Sequence, residues 1–160
     1  MGKTFNFQED LQKGLKAEAV IMEVLMDYVM ESDTRAYDAK LKGVGMALEF
    51  KSDYWLTKTG NLCIERFSSR ESESPGSVWQ SLDKNPAGCL YIFAEWTGKA
   101  PKRSNLKRLH VFSAHALRDY CEKNEPKRKV NCKNRGYTTE NWLYNLEDLK
   151  HLRIDLIEVN

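Results

Sequence analysis

The chain lacks the usual marks of a zinc protein. Only three histidines are scattered through its 160 residues, and its four cysteines, Cys63, Cys89, Cys121 and Cys132, form no C-x-x-C pair. Tetrahedral zinc sites are built from such pairs, so none is expected. The plain reading of these cysteines is free thiols in a reducing cytoplasm. Cys63 and Cys89 fall inside apolar, strand-like runs and read as core residues. No apolar run reaches the roughly 18 residues that span a bilayer. The opening MGKTFNFQEDLQKG has no apolar stretch of the secretory kind. A cytoplasmic protein with no membrane association is expected.

Hydrophobic residues make up 41% of the chain, enough to give one domain, 1–160, a core of its own. Net charge is only +2, but it is unevenly spread. Residues 1–98 carry 11 basic and 15 acidic side chains; residues 99–160 carry 14 basic and 8 acidic. An acidic half joined to a basic half suits a metal site beside a phosphate-binding surface. Charge segregation of this size also arises in proteins with neither.

Leu11, Leu15, Met22, Leu25 and Val29 recur at helical spacing and predict a helix over about residues 8–30. Residues 36–53 alternate on both sides of Gly43-Val44-Gly45 and read as a β-hairpin with a two-residue turn at Gly43-Val44. A third strand is expected over 61–67, a polar loop over 68–77 and a short helix over 77–84. The continuously apolar 88–95 reads as a central strand buried on both faces. A strand at 107–112, a helix at 114–123, basic loops at 97–105 and 126–137, a short helix near 146–151 and a terminal strand complete the chain. The expected fold is α/β (α+β), a central mixed β-sheet flanked by helices.

Three placements stand out. Glu18 shares the helix stripe with Leu15 and Met22, where a carboxylate is costly unless paired or metal-bound; a stripe-edge glutamate reaching solvent or a salt bridge is the plain alternative. Asp38 would lie opposite Glu49 across the hairpin, and opposed carboxylates repel unless a cation joins them; a register shift of one residue would send one of them to the other face. Glu49 and Lys51, two apart on a strand, share a face at roughly 6–7 Å. Alone, an E-x-K triplet is commonly a solvated strand face. Together, these residues put acids and an ammonium group in one place. Mg²⁺ favours carboxylate oxygens, waters and a substrate phosphate.

At these residues the sequence resembles the PD-(D/E)xK nuclease superfamily, in particular its small phage-type and junction-resolvase-like members. The similarity runs over about residues 10–95. It rests on Gly14 to Glu18 (G-x-x-x-E), Tyr37-Asp38, Glu49-Phe50-Lys51, Thr59-Gly60-Asn61-Leu62-Cys63-Ile64-Glu65, Ser74-Pro75-Gly76-Ser77 and Leu90-Tyr91-Ile92-Phe93. Tyr37 stands where the family usually has proline. The resemblance implies a restriction-endonuclease-like core of helix, three strands, helix and strand. It implies Mg²⁺ or Mn²⁺ held by Asp38, Glu49 and the backbone carbonyl of Phe50, with Glu18 as an added ligand and Lys51 assisting the attacking water. Glu65 and Gln80 are implied as supporting or substrate-side groups. The implied activity is DNA phosphodiester hydrolysis by an endonuclease of phage or mobile-element origin, working in the host cytoplasm. Relatives that cut two strands act in pairs, so a homodimer is an expected assembly.

Two basic clusters are candidates for contact with the DNA backbone: Lys99, Lys102, Arg103, Lys107 and Arg108, then Lys127, Arg128, Lys129, Lys133 and Arg135. Either could instead be a solvated loop. The four tryptophans, Trp55, Trp79, Trp96 and Trp142, read as core or surface anchors rather than base-stacking platforms. A catalytically silent nuclease-fold protein that binds DNA or another protein is the competing reading.

Overall fold

The computed structural model describes residues 7–32, 34 and 36–159. The first helix, α1 (Phe7–Val24), is shorter than the sequence periodicity predicts. Val29–Glu31 is instead a short strand, β1, which pairs with β2 (Ala39–Leu41) through Val29↔Leu41. Val29 is buried, as it would also be on a helix, so burial periodicity could not separate the two. The buried stripe of α1 is also displaced. Ala17, Ile21 and Leu25 face the sheet, while Leu11 and Leu15 are 49% and 50% exposed. Four-residue steps from Ala17 put one small side chain and two large ones on the sheet. Glu18 stands on the flank of that stripe.

The hairpin between β2 and β3 (Ala47–Asp53) has the expected register, Ala39↔Leu48 and Lys40↔Ala47. Its turn is longer than predicted. Leu41 and Met46 close a loop from Lys42 to Gly45, the Leu41 N–H donating to the Met46 carbonyl at 2.9 Å. Gly43 and Gly45 both take positive φ there, 83° and 67°, which residues with a Cβ rarely adopt. The register survives because the same residues remain opposed.

A short helix, α2 (Leu56–Thr59), and Gly60 then turn the chain into β4 (Asn61–Ser69). After β5 (Ser74–Pro75) come α3 (Ser77–Lys84), β6 (Cys89–Trp96), β7 (Leu106–Ser113) and α4 (Ala114–Lys123). The chain ends with β8 (Arg128–Lys133), β9 (Thr138–Asn145), α5 (Leu146–Leu149) and β10 (Arg153–Glu158).

The central sheet has six strands in the order β1-β2-β3-β6-β7-β10, with β3 and β6 parallel and the other pairs antiparallel. A mixed sheet flanked by helices is therefore present. Strand β6, at its middle, is buried throughout except at half-buried Leu90. The strand expected over 61–67 does not join this sheet. It lies in a second, antiparallel sheet, β5-β4-β9-β8, and the third strand on the hairpin side is β1. The expected basic loop 126–137 contains β8, an edge strand in which only Val130 and Cys132 are even partly buried. Basic residues blunt such an edge, and they also hide its period-two pattern in the sequence.

Alternation along β3 sends Leu48 and Phe50 to the α1 side, packed with Ile21, Leu25 and Ile92. Ala47 goes to the opposite side, where Tyr91, Phe93, α3, α4 and the second sheet share one core. Cys89 and Cys121 lie in that core, but Cys63 is exposed, contrary to expectation. No helix among the described residues is long and apolar enough to cross a membrane.

One glycine fixes how α3 meets β4. The Gly76 N–H donates to the Arg66 carbonyl at 2.8 Å, and a Cβ at this position would overlap the Glu65 carbonyl. Backbone cannot yield as a flexible side chain can. Gly76→Ala should cost about 1–3 kcal/mol, or about 2–4 °C in Tm per kcal/mol. An unchanged Tm would show that β4 and α3 do not approach this closely.

Candidate active site

Strand β2 begins at Ala39, so Asp38 lies just before the ladder, where the register brings it beside Glu49. The Phe50 N–H donates to Asp38 Oδ2 at 2.7 Å. In a strand, the N–H and C=O of one residue point to the same side. The Phe50 carbonyl therefore also faces the Asp38 side. Glu49 and Lys51 flank Phe50 on the other face of β3, and Lys51 Nζ lies 2.9 Å from Glu49 Oε1.

Electrostatics tie all four residues together. Burial pushes the Asp38 carboxyl up, with the nearby Glu49 and Glu18 adding; against the Phe50 hydrogen bond and the Lys51 charge, it reaches about 6. Burial raises Glu18 as well, and Glu49 adds to it while Lys51 opposes. Burial pulls the Lys51 ammonium down, but the Glu49 carboxylate, with Tyr91 and Asp38, outweighs it and shifts Lys51 up. One carboxylate, Glu49, thus contacts the Lys51 ammonium, and Asp38 and Glu18 interact with it through their charges. The arrangement is short of positive charge.

Can these residues hold a divalent cation? Among the described residues, no three His, Cys, Asp or Glu side chains form a group able to hold a metal ion. A hard ion such as Mg²⁺ does not require one; it commonly takes one or two carboxylates, with water and substrate phosphate filling the rest. Asp38, Glu49 and the Phe50 carbonyl supply that kind of all-oxygen set. The upward shift of Asp38 comes first from burial and then from Glu49 and Glu18, and a bound cation would offset it. The donor chemistry fits.

Two clefts meet at Lys51. One, of about 330 Å³, lies between Asp10, Lys13, Gly14 and Glu18 of α1 and the segment Phe50–Tyr54. The other, of about 320 Å³, runs between β3 and the second sheet, from Lys51 past Tyr91 to Glu65, Asn141 and Trp55. Glu65 thus lines the second cleft with Lys51. Gln80 lines neither: its Nε2 donates to the Pro75 carbonyl at 2.6 Å and to Ser68 Oγ at 3.2 Å, holding the β4–β5 turn.

The basic clusters divide. Lys99, Lys102 and Arg103 are exposed on the loop after β6. Lys107 and Arg108 are instead engaged with buried Glu95, at 3.2 and 3.5 Å, which reduces what they offer to a phosphate. Lys127 bonds Asn61 Oδ1 at 3.3 Å, Lys129 pairs with Glu125 at 3.3 Å, and Arg128 is exposed. Lys133 and Arg135 are exposed as well.

Sequence reasoning missed the aromatic rim of the clefts. Lys13 Nζ sits 3.8 Å from the Tyr54 ring centroid, and Trp55 lies one residue on. A signal was available in Asp53, whose Oδ1 accepts the N–H groups of Trp55 and Leu56 at 2.9 and 3.0 Å, a turn that aspartate favours. The Glu95–His110 pair inside the sheet had no comparable signature. Comparison with models of known families, with curated proteins and with solved structures gives no match to this chain.

Proposed function

We propose that the chain is a Mg²⁺- or Mn²⁺-dependent endonuclease that hydrolyses phosphodiester bonds in DNA. The observation that carries this reading is the grouping along β3: Asp38 Oδ2 on the Phe50 N–H at 2.7 Å and Glu49 on Lys51 Nζ at 2.9 Å, beside the cleft that Glu18 and Lys51 line. Along the chain α1 is followed by β1 to β3 and later by α3 and β6, but α2, β4 and β5 intervene and the expected third strand, 61–67, lies in the second sheet, so a restriction-endonuclease-like core stays part of the proposal. A homodimer and a phage or mobile-element source, with the host cytoplasm as compartment, belong to the same reading.

Asp38, Glu49 and the Phe50 carbonyl would hold the ion, with Glu18 as an added ligand. When bound, such an ion lowers the pKa of a water and stabilises charge on the phosphate. Lys51, kept charged by Glu49, would orient the attacking water and neutralise charge gathering on the phosphate oxygens. Lys99, Lys102 and Arg103 hold the DNA backbone beside the clefts, in a salt-dependent way.

The test incubates supercoiled, linear, single-stranded and four-way-junction DNA with the protein in Mg²⁺ or Mn²⁺. Cleavage that EDTA stops is expected. Lys51→Ala should lower its rate about a hundredfold. Undiminished cleavage by Lys51→Ala removes this chemistry, whereas salt-sensitive binding without cleavage of any substrate assigns the chain to the silent, DNA-binding class.

A further inference from the structure

We infer that Trp55 is a stacking platform for an unpaired nucleobase, so that the substrate is DNA with a single-stranded segment next to the cut. This rests on the endonuclease reading and narrows its substrate class. The indole of Trp55 is 57% exposed at the mouth of the cleft that begins at Lys51. Two ammonium groups attend it: Lys99 Nζ at 5.1 Å and Lys58 Nζ at 5.7 Å from the ring centroid.

The backbone under the ring is held firmly. Asp53 Oδ1 accepts the Trp55 N–H, and the Trp55 carbonyl accepts the N–H groups of Lys58 and Thr59, both at 2.9 Å. Thr57 Oγ1 donates to the Trp96 carbonyl at 2.9 Å and to Glu95 Oε1 at 3.1 Å, tying α2 to the central sheet. A presented aromatic face, fixed from behind and bordered by cations, is how sequence-tolerant single-strand sites are built.

Magnitudes favour the base over the resting contacts. An exposed ammonium–ring contact is worth only about a two- to fivefold preference. A stacked base is worth about five- to a hundredfold. A base therefore displaces either lysine from the ring, and the released ammonium is left beside the adjoining phosphate. Bases inside a duplex already have both faces covered by neighbours, so only an unpaired or terminal base can use the indole.

The spacing sets a limit on position. Trp55 follows Lys51 by four residues, roughly 14 Å of strand at most. At about 3.4 Å per stacked nucleotide, the unpaired base lies within about four nucleotides of the scissile phosphate.

The experiment measures binding of a fluorescent single strand, a forked duplex and a blunt duplex by anisotropy in EDTA, then maps cuts in Mg²⁺. Wild-type protein should prefer the forked and single-stranded probes. Trp55→Ala should weaken both about ten- to a hundredfold, with little change for the blunt duplex, and Trp55→Phe should recover most of the loss. Equal binding of the forked probe by Trp55→Ala and wild type, or a wild-type preference for the blunt duplex, overturns the inference. Trp55-dependent binding with no cleavage supports this site and removes the hydrolytic reading. Cleavage with an unchanged substrate preference in Trp55→Ala does the reverse.

Discussion

Asp38→Asn should cut DNA cleavage at least about a thousandfold and, at the same time, make the protein more stable. On the proposed endonuclease reading, the first effect follows from the loss of a charged oxygen ligand: charge stabilisation by a metal site is worth several kcal/mol, and each 1.36 kcal/mol is tenfold in rate. The second follows from burial of a charge, with repulsion adding to it. Asp38 lies among Glu49 and Glu18, and burial with those charges raises its carboxyl from 3.8 to about 6. Keeping it ionised at neutral pH therefore costs up to about 3 kcal/mol. Asparagine removes that cost, and its carbonyl oxygen can still accept the Phe50 N–H that now bonds Asp38 Oδ2.

The sign sets the pH window. The folded-state value lies above the unfolded one, so the native protein holds the extra proton between 3.8 and about 6. The penalty is fully present above about pH 6 and vanishes below about pH 4. Urea denaturation should show Asp38→Asn more stable at pH 7.5 and equal to wild type near pH 4. Saturating Mg²⁺, which neutralises the same repulsion, should raise the stability of wild type at pH 7.5 by about 2.7 kcal/mol at a hundred times its Kd, with a much smaller rise in the variant. A variant that is less stable by the same amount at every pH, or that still cleaves, would show that Asp38 does structural work only.

Why was this cluster readable while much around it was not? Asp38 and Glu49 violate a local rule, acids placed opposite one another in a hairpin; Glu18, read onto a stripe with Leu15 and Met22, stands on the flank of the buried stripe instead. Such violations are visible in a bare sequence. Register was readable too, since both a two-residue and a longer turn keep Ala39 against Leu48. Sheet membership was not. Residues 61–67 and 128–133 carry strand-forming patterns at best, and a strand pattern does not say which sheet the strand joins. That choice is made by the turn at α2 and Gly60, and by β1 occupying the edge beside β2. The α1 stripe was misplaced because Ala17 is a weak hydrophobic signal, though its small size suits close packing. Lys107 and Arg108 looked like phosphate contacts because nothing in their own segment reveals Glu95, twelve and thirteen residues earlier and one strand away.

Removing that carboxylate should have the largest effect on stability. Glu95 is 5% exposed, accepts from Thr57 Oγ1 and Lys107 Nζ, and lies 2.9 Å from His110 Nε2 and 3.5 Å from Arg108 Nε. On the far side of the imidazole, Arg153 Nη1 stands 3.3 Å from Nδ1. An arginine can only donate, so Nδ1 accepts and the proton sits on Nε2, facing the carboxylate. A neutral His110 satisfies both neighbours. Burial raises Glu95, but the bonds from His110 and Lys107 and the charge of Arg108 outweigh it and hold it below its usual range. Burial lowers His110, with Arg153 and Arg108 adding and Glu95 opposing. Glu95→Ala leaves the 1%-exposed imidazole and two cations without their acceptor, at a cost of about 3–5 kcal/mol. Glu95→Gln should cost less, because the amide carbonyl can still accept one of these bonds. The pH dependence separates the two partners. Stability from neutral His110 is present above about 6.5 and falls as pH drops below it; stability from ionised Glu95 is present above about 4.5 and is lost at more acid pH. Glu95→Gln should keep the first loss and lack the second. A Glu95→Gln curve parallel to wild type through both windows would mean that the carboxylate carries no charge in the fold, and that Lys107 and Arg108 are available to DNA after all.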